Sequence, residues 1–264
     1  MNQIKSEILQ VLIITKNESP NIKRVLDKLT WVERVIVLDS YSTDSTVQMA
    51  EAYPNVEVHF RVYDTVANQC NYGLSLLNSE WVISIDADYV LTDGFIEETK
   101  KIVLQDTKNS AYIARLHFLV FGIQLISNNT SPRPVLFRRT KCQYFDDGHT
   151  HRLEIDGSSG FIKSYILHDD RKPLTTWVQM QNSYSIRECD KLLMPLNPNN
   201  SSFSAKVRRT KIFAPFIVFF YCLFVKGLIF NGWAGWHYTL QRTMVEILFA
   251  LRLIEKEKLS KHLE

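Results

Sequence analysis

A chain of 264 residues with 45% hydrophobic and 22% charged side chains can bury a sizeable core and has the composition of an ordinary globular protein. Its formal net charge of +3 is too near balance to point to nucleic acid, and no nucleic-acid partner is expected. Cys70, Cys142, Cys189 and Cys222 form no CxxC pair, which argues against a zinc site or a disulfide framework and fits a reducing cytosol. The apolar run at 11–14 is too short for the core of a signal peptide.

Residues 8–14 predict a buried strand. Ile22, Val25, Leu26 and Leu29 follow at helical spacing, with Pro20 near the helix start. Residues 35–38 predict a second strand ending at Asp39, after which Ser42, Thr43 and Asp44 supply capping side chains for a helix through Met49 and Tyr53. A third strand is expected at 56–60, a third helix at 65–77 and a fourth strand at 81–85, which runs into Asp86-Ala87-Asp88. This alternation predicts an α/β fold with a parallel sheet and helices on both faces. Ligands of open sheets sit beyond the carboxyl ends of the strands. Polar residues gather at those ends, at 15–18, 39–44 and 86–88, so one site built from three strand ends is expected.

From 111 to about 167 the pattern changes to strand-like runs, at 112–121, 135–137 and 161–167, broken by polar loops. Pro173 opens a helix expected to reach 193, and the Asn-, Pro- and Ser-rich stretch 195–204 reads as a linker. Lys206, Arg208, Arg209 and Lys211 then precede an apolar run at 212–230, interrupted by Pro215 and Lys226 and followed by Trp233, Trp236 and Tyr238. A basic collar, an apolar stretch and aromatic residues are the ingredients of membrane attachment. Interfacial attachment is expected first, a true span second, and internal or dimeric packing third. The last helix has an apolar stripe of Val245, Leu248, Phe249 and Leu253 and an Arg242/Glu246 pair.

Asp86 and Asp88, one residue apart at a strand's mouth, can share a hard divalent cation that bridges a diphosphate. An acidic triplet alone often only solvates a loop; its place directly after Trp-Val-Ile-Ser-Ile gives it weight. No Walker, Rossmann, HExxH, GxSxG or kinase signature is present.

Three motifs in order carry a resemblance: Val11-Leu12-Ile13-Ile14-Thr15-Lys16-Asn17-Glu18, then Val37-Leu38-Asp39-Ser40-Tyr41-Ser42-Thr43-Asp44-Ser45-Thr46, then Asp86-Ala87-Asp88. Together they resemble family 2 glycosyltransferases of the GT-A fold, in particular those of lipopolysaccharide cores and the cell envelope, and Gln69, Asn71 and Gly73 resemble the polar stretch before the DxD strand. The resemblance implies a GT-A catalytic domain at 1–200, with a donor-binding half at 1–110 and an acceptor half at 111–200, followed by a helical membrane-associating region at 201–264. It implies an inverting, metal-dependent transfer from a nucleotide-sugar, commonly a UDP-sugar, to a saccharide or lipid-linked acceptor. The expected location is the cytoplasmic face of the inner membrane, as a peripheral or monotopic protein.

The resemblance also implies roles for single residues. Thr15, Glu18 and Gln69 line the nucleotide pocket, Asp39 hydrogen-bonds the base, Asp86 lies near the ribose, and Asp88 binds Mg²⁺ or Mn²⁺. His168 can complete the metal shell, although His168-Asp169-Asp170-Arg171-Lys172 also reads as a solvated charged loop. Asp44 reads as a helix cap. Arg138, with Arg133 and Arg139, is a candidate for the donor diphosphate or else a surface cluster.

Inversion needs a base for the acceptor hydroxyl. The candidates are Asp147, then Asp146 and His151, in a segment where relatives carry a His-Glu pair and this chain has His151-Arg152. Asp146-Asp147-Gly148 also reads as a turn. The rivals are a nucleotidyltransferase, which lacks support from a Gly-rich basic loop, and a catalytically inactive membrane scaffold.

Overall fold

The computed structural model describes residues 3–105, 108–127, 131–147, 150–193 and 203–262. The chain divides into two compact units, residues 1–119 with 129–172 and residues 120–128 with 173–264. In the first, β1 (Leu9–Thr15), β2 (Val35–Asp39), β3 (Val56–Phe60) and β4 (Trp81–Asp86) are joined through α1 (Ile22–Leu26), α2 (Thr46–Glu51) and α3 (Val66–Ser75). β5 (Tyr89–Leu91), α4 (Asp93–Gln105) and β6 (Ala111–Val120) follow. The strand order is β3-β2-β1-β4-β8-β6-β11-β5, with β8 at Arg133–Arg138 and β11 at Ser159–His168. The first four strands of this order are parallel, and β8 pairs antiparallel with both β4 and β6.

Side-chain alternation explains the layers. Leu9, Val11 and Ile13 enter one core with Ile22, Val25 and Leu26 of α1. Leu12 enters the other with Ala67, Cys70 and Leu74 of α3. Both faces of β1 and β2 are covered, as the apolar runs at 11–14 and 35–38 require. The second core is closed in part by a separate antiparallel hairpin, β9 (Cys142–Asp147) with β10 (Thr150–Ile155), through Tyr144 and Leu153. A polar loop was the expectation for this stretch. The hairpin forms because Tyr144 and Leu153 are register partners that bury together.

The second unit holds β7 (Ile123–Gln124) and the helices α5 (Leu174–Leu193), α6 (Phe203–Arg209), α7 (Ala214–Phe220) and α8 (Gly232–His262). An expected domain break near residue 200 is replaced by one after Lys172. The cause is packing: Cys189 and Leu192 of α5 form a core with Val245, Phe249 and Leu253 of α8, so α5 joins the C-terminal helices. Of the expected linker, residues 195–202 lie outside the described residues.

The apolar run does not form one straight helix. A π-helical turn at Tyr221–Val225 follows α7, and Gly227, at φ 67°, opens a short 3-10 helix at Leu228–Asn231 before α8. Among the described residues no single helix is long and apolar enough to cross a membrane. The arms Lys211–Val225 and Leu228–Leu259 are so only together, and they meet at a 71° bend.

The bend depends on a missing side chain. A Cβ added at Gly235 would lie 1.9 Å from the Leu228 carbonyl oxygen. The atom met is backbone, so the clash should exceed the roughly 1 kcal/mol by which Ala improves on Gly in a helix. Gly235→Ala is expected to destabilise the protein by about 1–3 kcal/mol, read as a lowered thermal midpoint. An unchanged midpoint would mean that α8 tolerates a looser approach.

Candidate active site

The parallel register sets three functional strand ends side by side, with Thr15 opposite Asp39 and Ile14 opposite Asp86. The loops beyond β1 and β2 lock into each other. The Asn17 N–H donates to Ser42 Oγ at 2.8 Å, and the Thr43 N–H donates to Asn17 Oδ1 at 2.8 Å. The Glu18 N–H donates to Thr46 Oγ1 at 2.7 Å. Asn17 and Tyr41 hold φ of 55° and 60°, left-handed conformations that non-glycine residues adopt at a cost and that collect at functional sites.

Asp39 is fully buried and accepts from the Ser42 N–H at 2.7 Å and the Ser42 hydroxyl at 2.5 Å. Asp44 accepts from the Thr46 N–H at 3.0 Å, the capping role expected of it. Gln69 donates to Ser40 Oγ at 2.8 Å and accepts from Arg61, bracing the β2 loop from within the core. Asn71 exchanges two hydrogen bonds with the Tyr144 backbone, at 2.8 and 3.0 Å, which fixes β9 against α3. Sequence reading passed over Tyr41, whose exposed ring lies 5.7 Å from that of Phe60 at the β3 end.

Asp88 is buried, and its Oδ2 lies 3.0 Å from His168 Nε2. His168 ends β11, where it is paired across from Tyr89 and Phe118, and its ring packs 5.0 and 4.2 Å from theirs. Burial works against charge on Asp88, but His168 and then Lys172 outweigh it and hold the carboxyl below its ordinary range. Burial likewise pulls the His168 imidazole down, and Asp88 beside it holds it above its ordinary value. Asp88 Oδ1, His168 Nδ1 and Thr15 Oγ1 are buried with no hydrogen-bond partner among the described residues.

Residues 168–172 are not a solvated loop. Asp169, only 1% exposed, takes Arg24 Nη1 on its carboxylate at 3.1 Å and Arg24 Nη2 on its carbonyl at 2.8 Å. Asp170 accepts from the Lys172 N–H at 3.1 Å, and buried Lys172 pairs with buried Glu18. Burial, then the nearby Asp88 charge, push the Glu18 carboxyl up to about 7 against the pull of Lys172 and Asn21. Burial of Lys172 is outweighed by Glu18 and Asp170, which hold its ammonium above its ordinary range. The segment is a strap tied to the first loop of the site. Glu18, expected to line the nucleotide pocket, is instead its buried anchor, because Lys172 claims its carboxylate.

A cavity beside Asp86 is lined by Tyr89, Arg133, Tyr144 and His151. Arg133 Nη1 donates to the Tyr89 hydroxyl at 3.3 Å. His151 packs its ring 5.1 Å from Tyr144 and lies opposite exposed Asp146 in the hairpin. Burial lowers the His151 imidazole below its ordinary 6.5, with Arg133 adding to the effect and Asp86 opposing it. Asp147 ends β9, and its side chain, with Gly148 and His149, lies outside the described residues.

Arg138 is a correction. It pairs with Trp81 at the amino end of β4, five residues back from Asp86 and so roughly 16 Å away at strand rise. There it stacks over the Trp81 ring at 4.3 Å, forms an ion pair with Glu80 and donates to the Asn109 carbonyl at 3.0 Å. Arg139 donates to the Ser79 carbonyl at the same end. Neither reaches the cavity beside Asp86, because β8 runs antiparallel to β4; Arg133, at the other end of β8, lines it.

The family model described as glycosyl transferase family 2 matches residues 10–167, more than half of the chain, and the chain belongs to that family. The mannosyltransferase PcManGT from Pyrobaculum calidifontis, in complex with GDP-Man and Mn²⁺, shares the fold at a TM-score of 0.52 and 15% identity, over 93% of this chain and 86% of that one. The fold is GT-A. An uncharacterised glycosyltransferase of Rickettsia conorii is 31% identical over 137 residues, 50% of this chain and 46% of the relative. The lipopolysaccharide core biosynthesis glycosyltransferase LpsC of Rhizobium meliloti is 22% identical over 261 residues, 95% of this chain and 93% of LpsC. The match spans less than half the length of the rickettsial relatives.

Removing the Lys172 charge leaves Glu18 buried and unpaired. Lys172→Met is expected to cost about 3 kcal/mol, and Glu18→Gln in the same chain to recover most of it. The sign with pH follows from the Glu18 carboxyl, which is raised in the folded state and would rise further in the variant. The folded variant then binds the proton more tightly than the unfolded chain, so its stability falls as pH climbs toward the raised value. Denaturation at about pH 8 should show a larger deficit than at about pH 5. Equal deficits would remove Glu18 as the group left behind.

Proposed function

We propose that the chain is an inverting glycosyltransferase that moves a sugar from a nucleotide-diphospho-sugar, with UDP-sugars as the first class to test, to a cell-envelope saccharide or lipid-linked acceptor at the cytoplasmic face of the membrane. The observation that carries this is the edge where Thr15, Asp39 and Asp86 end adjacent parallel strands beside the buried Asp88–His168 pair. LpsC, named for lipopolysaccharide core biosynthesis and matched nearly end to end, supports the envelope acceptor. PcManGT, in complex with GDP-Man and Mn²⁺, supports a nucleotide-sugar donor with a divalent cation.

The residues present fit such a cation. Asp88 and His168 offer oxygen and imidazole nitrogen 3.0 Å apart, about the spacing of adjacent octahedral ligands at bonds near 2.1 Å. Asp88 Oδ1 has no partner among the described residues. No group of three metal-ligating side chains occurs there either, so diphosphate oxygens and water would complete the shell. A cation bound here neutralises the charge that builds on the departing diphosphate.

The protein's own groups do the rest. Asp39, with its carboxylate set by Ser42, faces the base. Arg133, in the cavity beside Asp86, meets donor phosphate oxygens. His151 is the base this geometry favours: it lines the same cavity and is held neutral, ready to take the acceptor hydroxyl's proton as that oxygen attacks the anomeric carbon opposite the leaving diphosphate.

Calorimetric titration with UDP, and with GDP as the alternative, tests the donor site. Nucleotide binding is expected to require Mn²⁺ or Mg²⁺, and Asp88→Ala to lose that requirement together with at least about tenfold in affinity. Metal-independent binding of equal strength in both proteins would sink the metal assignment.

The base is tested by the pH profile of kcat/KM. Activity should fall on acidification through an ionisation below the ordinary histidine value of 6.5, as His151 takes up its proton. His151→Asn should lose about 10²–10⁴-fold and the acid limb with it. A limb that persists in that variant and disappears in Asp146→Asn would move the role to Asp146.

A further inference from the structure

Donor, metal and base leave the second unit unused, yet among the described residues it carries many large exposed apolar side chains. Phe230, at the bend between α7 and α8, is 87% exposed and Val225 is 72% exposed. In the same unit Phe219 packs 5.4 Å from Phe220 and 6.1 Å from Trp236, and Phe220 stacks 6.1 Å from Phe224.

A segment from the middle of the chain belongs to the same unit. Ile126, 63% exposed, follows β7, and its N–H donates to Asn231 Oδ1 at 2.9 Å while Asn231 Nδ2 donates to the Gln124 carbonyl at 3.1 Å. One side chain at the bend thus satisfies two backbone groups that an apolar medium would otherwise leave stranded. Phe121 of the same segment is exposed, its ring 6.4 Å from that of Trp233.

Of the four cations expected to form a collar for lipid headgroups, Arg208, Arg209 and Lys211 have partners within the unit. Arg208 is paired with Glu188 at 3.1 Å and Glu246 at 3.3 Å, Arg209 donates to the Leu192 carbonyl at 2.7 Å, and Lys211 is paired with Glu257 at 2.5 Å. They brace α6 and the start of α7 against α5 and α8. Three of the four are thus turned to intramolecular partners, and the apolar ridge is the more prominent exposed feature.

We propose that this ridge is a wedge that inserts into the hydrocarbon of one lipid leaflet, and that apolar burial rather than headgroup charge drives the attachment. A ridge whose corner residue is almost fully exposed suits acyl chains, which mould to any shape, whereas a second copy of the chain would have to present a matching pocket. Trp233 and Trp236 flank the ridge, where indole rings settle at a headgroup boundary. The proposal rests on this surface alone and stands whether or not the chain transfers sugar.

The test is sedimentation of the full chain with vesicles of pure phosphatidylcholine, at about 0.1 M and about 1 M salt. Binding is expected at both salts, within about twofold of that to vesicles containing phosphatidylglycerol, and acyl-chain bromination should quench tryptophan fluorescence. Phe230→Glu together with Val225→Glu should lower partitioning at least about tenfold. Both side chains are exposed, so the thermal midpoint and nucleotide affinity should not change. Binding that needs anionic lipid and vanishes at high salt would overturn the proposal. So would failure to bind any vesicle by a folded chain, or a concentration-dependent dimer that the double variant abolishes. Vesicle binding without nucleotide binding would leave the wedge intact and remove the donor-site reading instead.

Discussion

A carboxylate held out of water needs hydrogen-bond donors or positive charge to stay ionised, and much of the first unit serves to give Asp88 a cationic neighbour. His168 is 80 residues further along the chain. It reaches Asp88 because β11 runs parallel to β6 and antiparallel to β5, which sets His168 against Tyr89 and Phe118 in register. Both aromatic rings then pack the imidazole from its sides. The strap that follows is held by Arg24 through Asp169 and by Glu18 through Lys172. The first loop of the site and the last strand of the sheet are therefore one electrostatic assembly, and a disturbance of either end reaches Asp88.

The donor half was legible in the sequence because its signals are local. Apolar runs of strand length, helical spacing between them and polar residues at the strand ends gave four parallel strands and a single edge carrying Thr15, Asp39 and Asp86. What was not legible depends on pairing at a distance. Arg133 and Arg138 look equivalent in sequence, but β8 runs against β4 and puts them at opposite ends of the sheet. The run at 168–172 has the composition of a solvated loop, and its partners Glu18 and Arg24 are more than 140 residues away. The β9–β10 hairpin is short and polar along one face, and only the burial of Tyr144 and Leu153 on the other reveals it.

The C-terminal region divides in the same way. Its aromatic and apolar excess was plain in composition, and so was the stripe on α8. That stripe turned out to belong to α5, because Cys189 and Leu192 cover it, and this moved the domain boundary to the end of the strap. The partners of its basic residues were not legible, because composition counts charge but not what it pairs with. Glu188 and Glu246 pair with Arg208, and Glu257 with Lys211, all from other helices.

The balance of charge around Asp88 links the fold to the proposed chemistry. His168 stands beside Asp88, which holds its imidazole above the ordinary value, and the Lys172 ammonium pairs with Glu18. A divalent ion held by Asp88 and His168, as proposed, would need the imidazole neutral and would itself supply positive charge beside the carboxylate. Lys172 cannot make that exchange, since Glu18 and Asp170 hold its proton firmly. The two ion pairs thus divide the work: the Glu18–Lys172 pair keeps the strap fixed, while the Asp88–His168 pair, with its proton removable, is the one that can open to a ligand.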